Sequence, residues 1–198
     1  MQVIGLTGFA GAGKSTVAQY LVEQHGFTRL SFAAPLKKML RTLNPILSFE
    51  DSGDTRVDHV RVGDLFNGGW LENDVKADPN LGPEYRRLLQ VLGTDCIRAV
   101  DPEFWVKAAI AQMTDENAKY VFDDARFPNE AQIISHYNVF GLWNVTRPGY
   151  VAVNGHASEQ WAGNMGERVW LHNGLDIEGL HDQIDAALTV VADSAAMA

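Results

Sequence analysis

The segment that constrains this chain most is Gly8-Phe9-Ala10-Gly11-Ala12-Gly13-Lys14-Ser15 together with what flanks it. Before it, residues 3 to 7 form an apolar run too short for a helix and apolar on both faces, the pattern of a strand buried inside a parallel sheet. After it, residues 15 to 25 carry a helical pattern that stops at Gly26, a glycine placed where helices commonly end. The eight residues fit the phosphate-loop pattern G-x-x-x-x-G-K-[ST] at every fixed position. Glycines let backbone N–H groups converge on an anion without side-chain collision. The helix that follows adds the positive end of its dipole. Lys14 is placed to reach β- and γ-phosphates, and the Ser15 hydroxyl to ligate Mg²⁺. The expected triphosphate-binding residues are Gly8, Gly11, Ala12, Gly13, Lys14, Ser15 and Thr16.

The rest of the chain repeats the strand–helix alternation. Strands are expected over 28–33, 119–124, 139–145 and 168–172. Helices are expected over 35–43, 84–100, 101–115 and 129–137, with a last amphipathic helix marked by Ile177, Leu180, Ile184, Leu188 and Val191. This predicts an α/β fold of three layers, with a five-stranded parallel sheet covered on both faces. Residues 45–83 are rich in Gly, Asn, Asp and Pro and read as an insert of loops with short helical pieces. Residues 148–166 read as a mobile lid or a plain surface loop, and they contain His156 and Glu159. Residues 1–198 are expected to form one domain.

Of 198 residues, 46% are apolar, enough for a substantial core. The net charge of −9 disfavours polymeric nucleic acid and acidic membranes as partners, while leaving room for a local arginine cluster. No window approaches the length of a membrane span. The single cysteine, Cys96, forms no disulfide within the chain and reads as a packing residue. These features point to the cytoplasm.

Three further groups carry candidate chemistry. Residues 120–124 form an apolar strand ending in Asp123-Asp124. By alternation Asp124 and Arg126 project to one side, which favours Asp124 for a metal and Arg126 for a phosphate. On an ideal helix Arg87, Gln90, Thr94 and Arg98 share one stripe, which reads either as a solvated face or as a site where arginines grip a monophosphate and Gln90 reads a base. Lys37 and Lys38 follow the second strand, as surface lysines or phosphate ligands. Arg147 stands at the start of the lid segment. Lys14, Arg126 and Arg147 form the candidate catalytic set.

Several of these pieces together resemble the deoxynucleoside monophosphate kinases of tailed bacteriophages. They are residues 5–16, Ser31-Phe32-Ala33-Ala34-Pro35-Leu36-Lys37, Arg86-Arg87-Leu88-Leu89-Gln90 with Leu92-Gly93-Thr94, Asp101-Pro102 with Trp105-Val106, Asp124-Ala125-Arg126-Phe127-Pro128-Asn129-Glu130, Arg147-Pro148-Gly149 and His156-Ala157-Ser158-Glu159. The resemblance implies an adenylate-kinase-like fold, Mg²⁺-dependent transfer from ATP to a deoxynucleoside monophosphate, a homodimer as an option, and the host cytoplasm as location for a phage protein. It also implies that Phe32, Lys37, Arg61, Arg87, Gln90 and Arg98 bind the acceptor. Dephospho-coenzyme A kinases open similarly, but they carry an aspartate soon after the second strand, where this chain has Ser31-Phe32-Ala33-Ala34-Pro35. A nucleotide-dependent switch without a second substrate is the remaining alternative.

Overall fold

The computed structural model describes residues 1–51, 57–137, 140–151, 160–174 and 176–196. Residues 152–159 of the expected lid, including His156 and Glu159, lie outside the described residues. The chain divides into two compact units, Met1–Phe32 with Val106–Ala198, and Ala33–Trp105.

The first unit holds the strands β1 (Gln2–Thr7), β2 (Phe27–Leu30), β5 (Lys119–Phe122), β6 (Gly141–Thr146) and β7 (Val169–His172). They form one sheet in the order β2-β5-β1-β6-β7, and every pairing in it is parallel. The five-stranded parallel sheet expected from the alternation is present. From central β1 the chain runs to edge strand β2, two places away, returns to β5 and then continues on the opposite side with β6. The strand order therefore switches direction at β1, and in open α/β sheets the crevice beyond the strand ends at such a point is where ligands sit.

Side-chain alternation along the strands separates two cores. On one face Ile4, Leu6, Val121, Trp143 and Val145 pack with Val17 and Leu21 of α1 (Lys14–His25) and with Leu180 and Ile184 of α8 (Ile177–Ala196). On the other, Val3, Phe122 and Leu142 pack with Val106 and Ala109 of α6 (Phe104–Ile110) and with Ala131 and Ile134 of α7 (Pro128–Tyr137). Each fully buried aliphatic side chain contributes about 1.5–3 kcal/mol. Burial on both faces explains why these strands read as continuous apolar runs.

The second unit carries α2 (Ala34–Leu43), β3 (Ile46–Asp51), β4 (Val57–Arg61), α3 (Val62–Asn67), α4 (Glu72–Ala77) and α5 (Gly82–Gln90). β3 and β4 pair antiparallel, with Ile46 opposite Arg61 and Phe49 opposite His59. This sheet corrects the expectation of loops with helical pieces across 45–83. Leu47 and Val62 are buried in a core with Leu40, Val75, Leu81 and Tyr85, and so anchor the hairpin region despite its polar composition.

A second correction concerns 84–100. Helix α5 stops at Gln90 and the chain continues as a π-helix over Val91–Arg98. In the π form the hydrogen bonds run i to i+5 and each turn holds more residues, so side-chain directions drift from α-helical ones along the segment. Cys96 is accordingly exposed and Val100 is 88% exposed, although α-helical spacing puts both on the apolar face. The buried Gly93 carbonyl accepts the Trp105 indole N–H at 2.9 Å, and Leu36 fills the space beside Gly93. Helix α6 also starts later than expected, at Phe104. The Asp101 carboxylate accepts the Glu103 N–H (3.0 Å), which makes a turn there in place of a helix N-cap.

The π register gives a direct test. In the native protein one thiol per chain should react with an aromatic disulfide reagent, within about tenfold of the rate in denaturant. Reaction seen only after unfolding would return Cys96 to the apolar face.

Candidate active site

The phosphate loop leaves β1 at the switch point and enters α1. Gly8, Gly11 and Gly13 have φ of +129°, +78° and +107°. At Gly8 the constraint is double, because a Cβ there would also overlap the Val145 carbonyl oxygen of β6. Gly13 is the N-cap of α1 and provides no side-chain hydrogen bond. The first N–H groups of a helix have no intrahelical partner, so this end suits an anion. Ala12 N–H donates to the Phe9 carbonyl (3.2 Å) inside the loop. Lys14 folds back across it, with Nζ donating to the carbonyls of Gly8 (2.8 Å) and Phe9 (2.9 Å). Ser15 and Thr16 are exposed at the head of α1.

β5 ends at Phe122, level with Gly5 of β1. The two following carboxylates both turn toward β2 and its end. Asp123 pairs with Arg29. Asp124 accepts the Ser31 hydroxyl at 2.6 Å and the Phe32 N–H at 2.9 Å. Strand alternation does not decide their directions, because the strand has stopped before them. Arg126 is exposed and lines a small hollow with Gly8, Phe9 and Ala10 of the phosphate loop. Arg147, just past β6, lies over the Tyr150 ring at 4.9 Å. Phe32 itself is 3% exposed and stacked on Phe122, so its ring belongs to the core and not to an open surface. Among the described residues no three His, Cys, Asp or Glu side chains gather as a metal cluster.

Three residues at the site were given no role from the sequence, although Glu130 closes the motif of residues 124–130. Asn173, after β7, donates from Nδ2 to the Ala12 carbonyl (2.9 Å) and so braces the loop. Asn-Gly at 173–174 reads only as a turn signal. Asn144 is 4% exposed and its Oδ1 has no hydrogen-bond partner among the described residues. Glu130, 3% exposed on α7, accepts the N–H groups of Arg126 (2.8 Å) and Phe127 (3.1 Å). Burying a carboxylate costs several kcal/mol, and hydrogen bonds to a charged acceptor return about 1.5–3 kcal/mol each. This side chain organises the start of α7.

The acceptor candidates other than Phe32 lie in the second unit. Arg87 is held by Glu84 through two bonds of 2.7 Å. Arg98 donates to the Pro102 carbonyl (3.2 Å), and Arg61 to the Asn44 carbonyl (3.0 Å). Gln90 is half-buried at the end of α5. Because Thr94 and Arg98 lie in the π-helix, the stripe expected on an ideal helix is not preserved past Gln90. On α2, Lys37, Lys38 and Arg41 line an open basic hollow with Ala34 and Thr42. Lys37 pairs with Glu72 at 3.2 Å, and Lys76 pairs with the same carboxylate. Burial alone would raise the Glu72 carboxyl, but Lys76 and Lys37 outweigh it and hold it below its ordinary 4.5. Burial also pushes the Tyr85 phenol up to about 12, with Glu72 adding to the rise and Arg41 opposing it.

The parallel sheet with a complete phosphate loop at its switch point defines a P-loop α/β protein. The family model "Deoxynucleotide monophosphate kinase" matches residues 80–184. A protein of Acanthamoeba polyphaga mimivirus whose name provisionally assigns it the same activity is 31% identical over 174 residues, covering 80% of this chain and 81% of that one. The chain belongs to the deoxynucleotide monophosphate kinase family, and it is a nucleotide kinase, a phosphotransferase. A crystal structure of TT1252 from Thermus thermophilus aligns with a TM-score of 0.49 at 17% identity, over 96% of this chain and 97% of that one. No helix among the described residues is long and apolar enough to cross a membrane.

The Glu72 pairs carry a pH dependence. The folded carboxyl titrates below its ordinary value, so the stabilisation is fully present above pH 4.5 and is lost as pH falls through the lower, folded value. Glu72→Gln should cost about 1–2 kcal/mol at neutral pH, and the deficit should shrink in acid. Urea unfolding of both proteins across that range measures it. A deficit independent of pH would remove the ion pairs from this account.

Proposed function

We propose that the chain transfers the γ-phosphoryl group of ATP to a deoxynucleoside monophosphate, giving the diphosphate. The observation that carries this reading is the complete phosphate loop, with Lys14 and Ser15 at the uncapped head of α1, in a chain of this family. Backbone N–H groups of the loop, those of Gly11, Gly13, Lys14 and Ser15 among them, hold the donor phosphates. Lys14 exchanges the Gly8 and Phe9 carbonyls for β- and γ-phosphate oxygens, which as charged acceptors hold an ammonium more strongly.

The hydroxyl of Ser15 and the carboxylate of Asp124 are hard oxygen donors and suit Mg²⁺, an ion that keeps several waters and phosphate oxygens in its shell. Bound there, Mg²⁺ would neutralise charge on the phosphates. Arg126 and Arg147 stabilise the transferring group. Lys37, Arg61, Arg87, Gln90 and Arg98 hold the acceptor, with Arg87 trading Glu84 for a phosphate. The acceptor phosphate oxygen is already ionised at neutral pH, so no strong base is needed. Catalysis comes from in-line positioning and charge stabilisation.

ADP release in a coupled assay should depend on Mg²⁺ and on one or more of dGMP, dTMP, dCMP and dAMP. Lys14→Ala should abolish turnover while circular dichroism stays unchanged. ADP release indifferent to every monophosphate would replace transfer by hydrolysis, and near-normal activity of Lys14→Ala would remove the assignment of that residue.

A further inference from the structure

We propose that Glu130 is a positioning residue that sets the place of Arg126 beside the phosphate loop. This inference rests on the role given to Arg126 above.

The run from Asp124 to Glu130 contributes Asp124 and Arg126 to the proposed chemistry, and Glu130 has no part in it so far. A glutamate in the first turn of a helix normally faces water and interacts with the helix dipole. Glu130 is instead 3% exposed, and its carboxylate turns back to accept the N–H groups of Arg126 (2.8 Å) and Phe127 (3.1 Å). One residue upstream, Ala125 N–H donates to the Leu6 carbonyl of β1 at 3.1 Å. The backbone on either side of the Arg126 Cα is thus tied, to the central strand and Glu130 before it and to Glu130 again after it.

The arginine side chain itself is long and exposed, so where its guanidinium can reach depends on where that Cα is held. The position matters because Arg126 lines its hollow with Gly8, Phe9 and Ala10. Glu130 acts on the reaction through the backbone and touches no substrate. Its function is to accept two N–H bonds, for which the oxygen is needed more than the charge.

The test is a kinetic double-mutant cycle on the full chain, with thermal melts of each variant. Glu130→Ala should lower kcat by about tenfold to a hundredfold, the scale of a small misplacement of a catalytic group, with a lesser effect on the KM for ATP. Glu130→Gln keeps the acceptor oxygen and should stay within about threefold of wild type. In an Arg126→Ala background, Glu130→Ala should cost less than about threefold more, because the group it positions is gone. Should Glu130→Ala not fold, Glu130→Asp takes its place, since one methylene fewer withdraws the acceptor from both amides.

Equal losses in both backgrounds would mean a merely structural role and would overturn the proposal. So would a Gln variant as damaged as Ala, or a normal kcat for Glu130→Ala. Failure of the underlying reading looks different: there Arg126→Ala by itself leaves kcat intact.

Discussion

A single backbone oxygen, the Val145 carbonyl of β6, stands where any Cβ on residue 8 would have to go. Thr7 and Asn144 are register partners, so the end of β1 and the end of β6 lie side by side, and the chain leaving β1 must pass close to its neighbour. With φ at +129°, that passage admits glycine and excludes other residues. The remaining geometry follows from it. The loop closes on itself through Ala12 and Phe9, is braced by Asn173 just past β7, and enters α1 through the left-handed Gly13, which leaves the helix head without a side-chain cap. The sheet around the loop holds this path in place, since strands buried on both faces resist displacement.

Electrostatics act on top of this frame. The chain is acidic overall, and several of its cations are held by a local partner: Arg29 by Asp123, Lys37 and Lys76 by Glu72, Arg87 by Glu84. Lys14 rests on two carbonyls. Such partners keep a basic side chain oriented. Exposed pairs are worth little in stability, about 0–1 kcal/mol, so exchanging one for a phosphate costs little. That balance accords with the proposed acceptor role of Arg87. Asp124 differs in being tied to Ser31 and to a backbone N–H, which fixes a carboxylate near the end of β5 whatever binds beside it.

Much of the first unit was legible in the sequence. Apolar runs such as residues 3–7 and 120–122 can only be strands buried on both faces, and the phosphate loop has one known way of leaving such a strand. The second unit was less so. The hairpin of residues 46–61 is stabilised by a few buried side chains, Leu47 among them, inside a polar text whose composition suggests loops. The π-helix has no signature in side-chain spacing, since the pattern Tyr85, Leu88, Leu89, Leu92, Cys96 fits an α-helix well. Closing Leu36 on Gly93 and satisfying the Trp105 indole belong to packing, and they coincide with the wider turn that carries Cys96 and Val100 outward.

The sequence alone determined the class of fold, the position of the phosphate loop and the identity of its lysine and hydroxyl, because these depend on local periodicity and on glycines that only a few backbone conformations require. Tertiary structure decided which side chains address that loop. Glu130, Asn144 and Asn173 are near it only because α7, β6 and the end of β7 converge on β1, and Phe32 leaves the candidate surface because Phe122 stacks on it. The Asn173 and Phe32 partnerships join residues far apart in the chain, and even the local turn of Glu130 onto Arg126 is fixed by burial that no spacing pattern encodes.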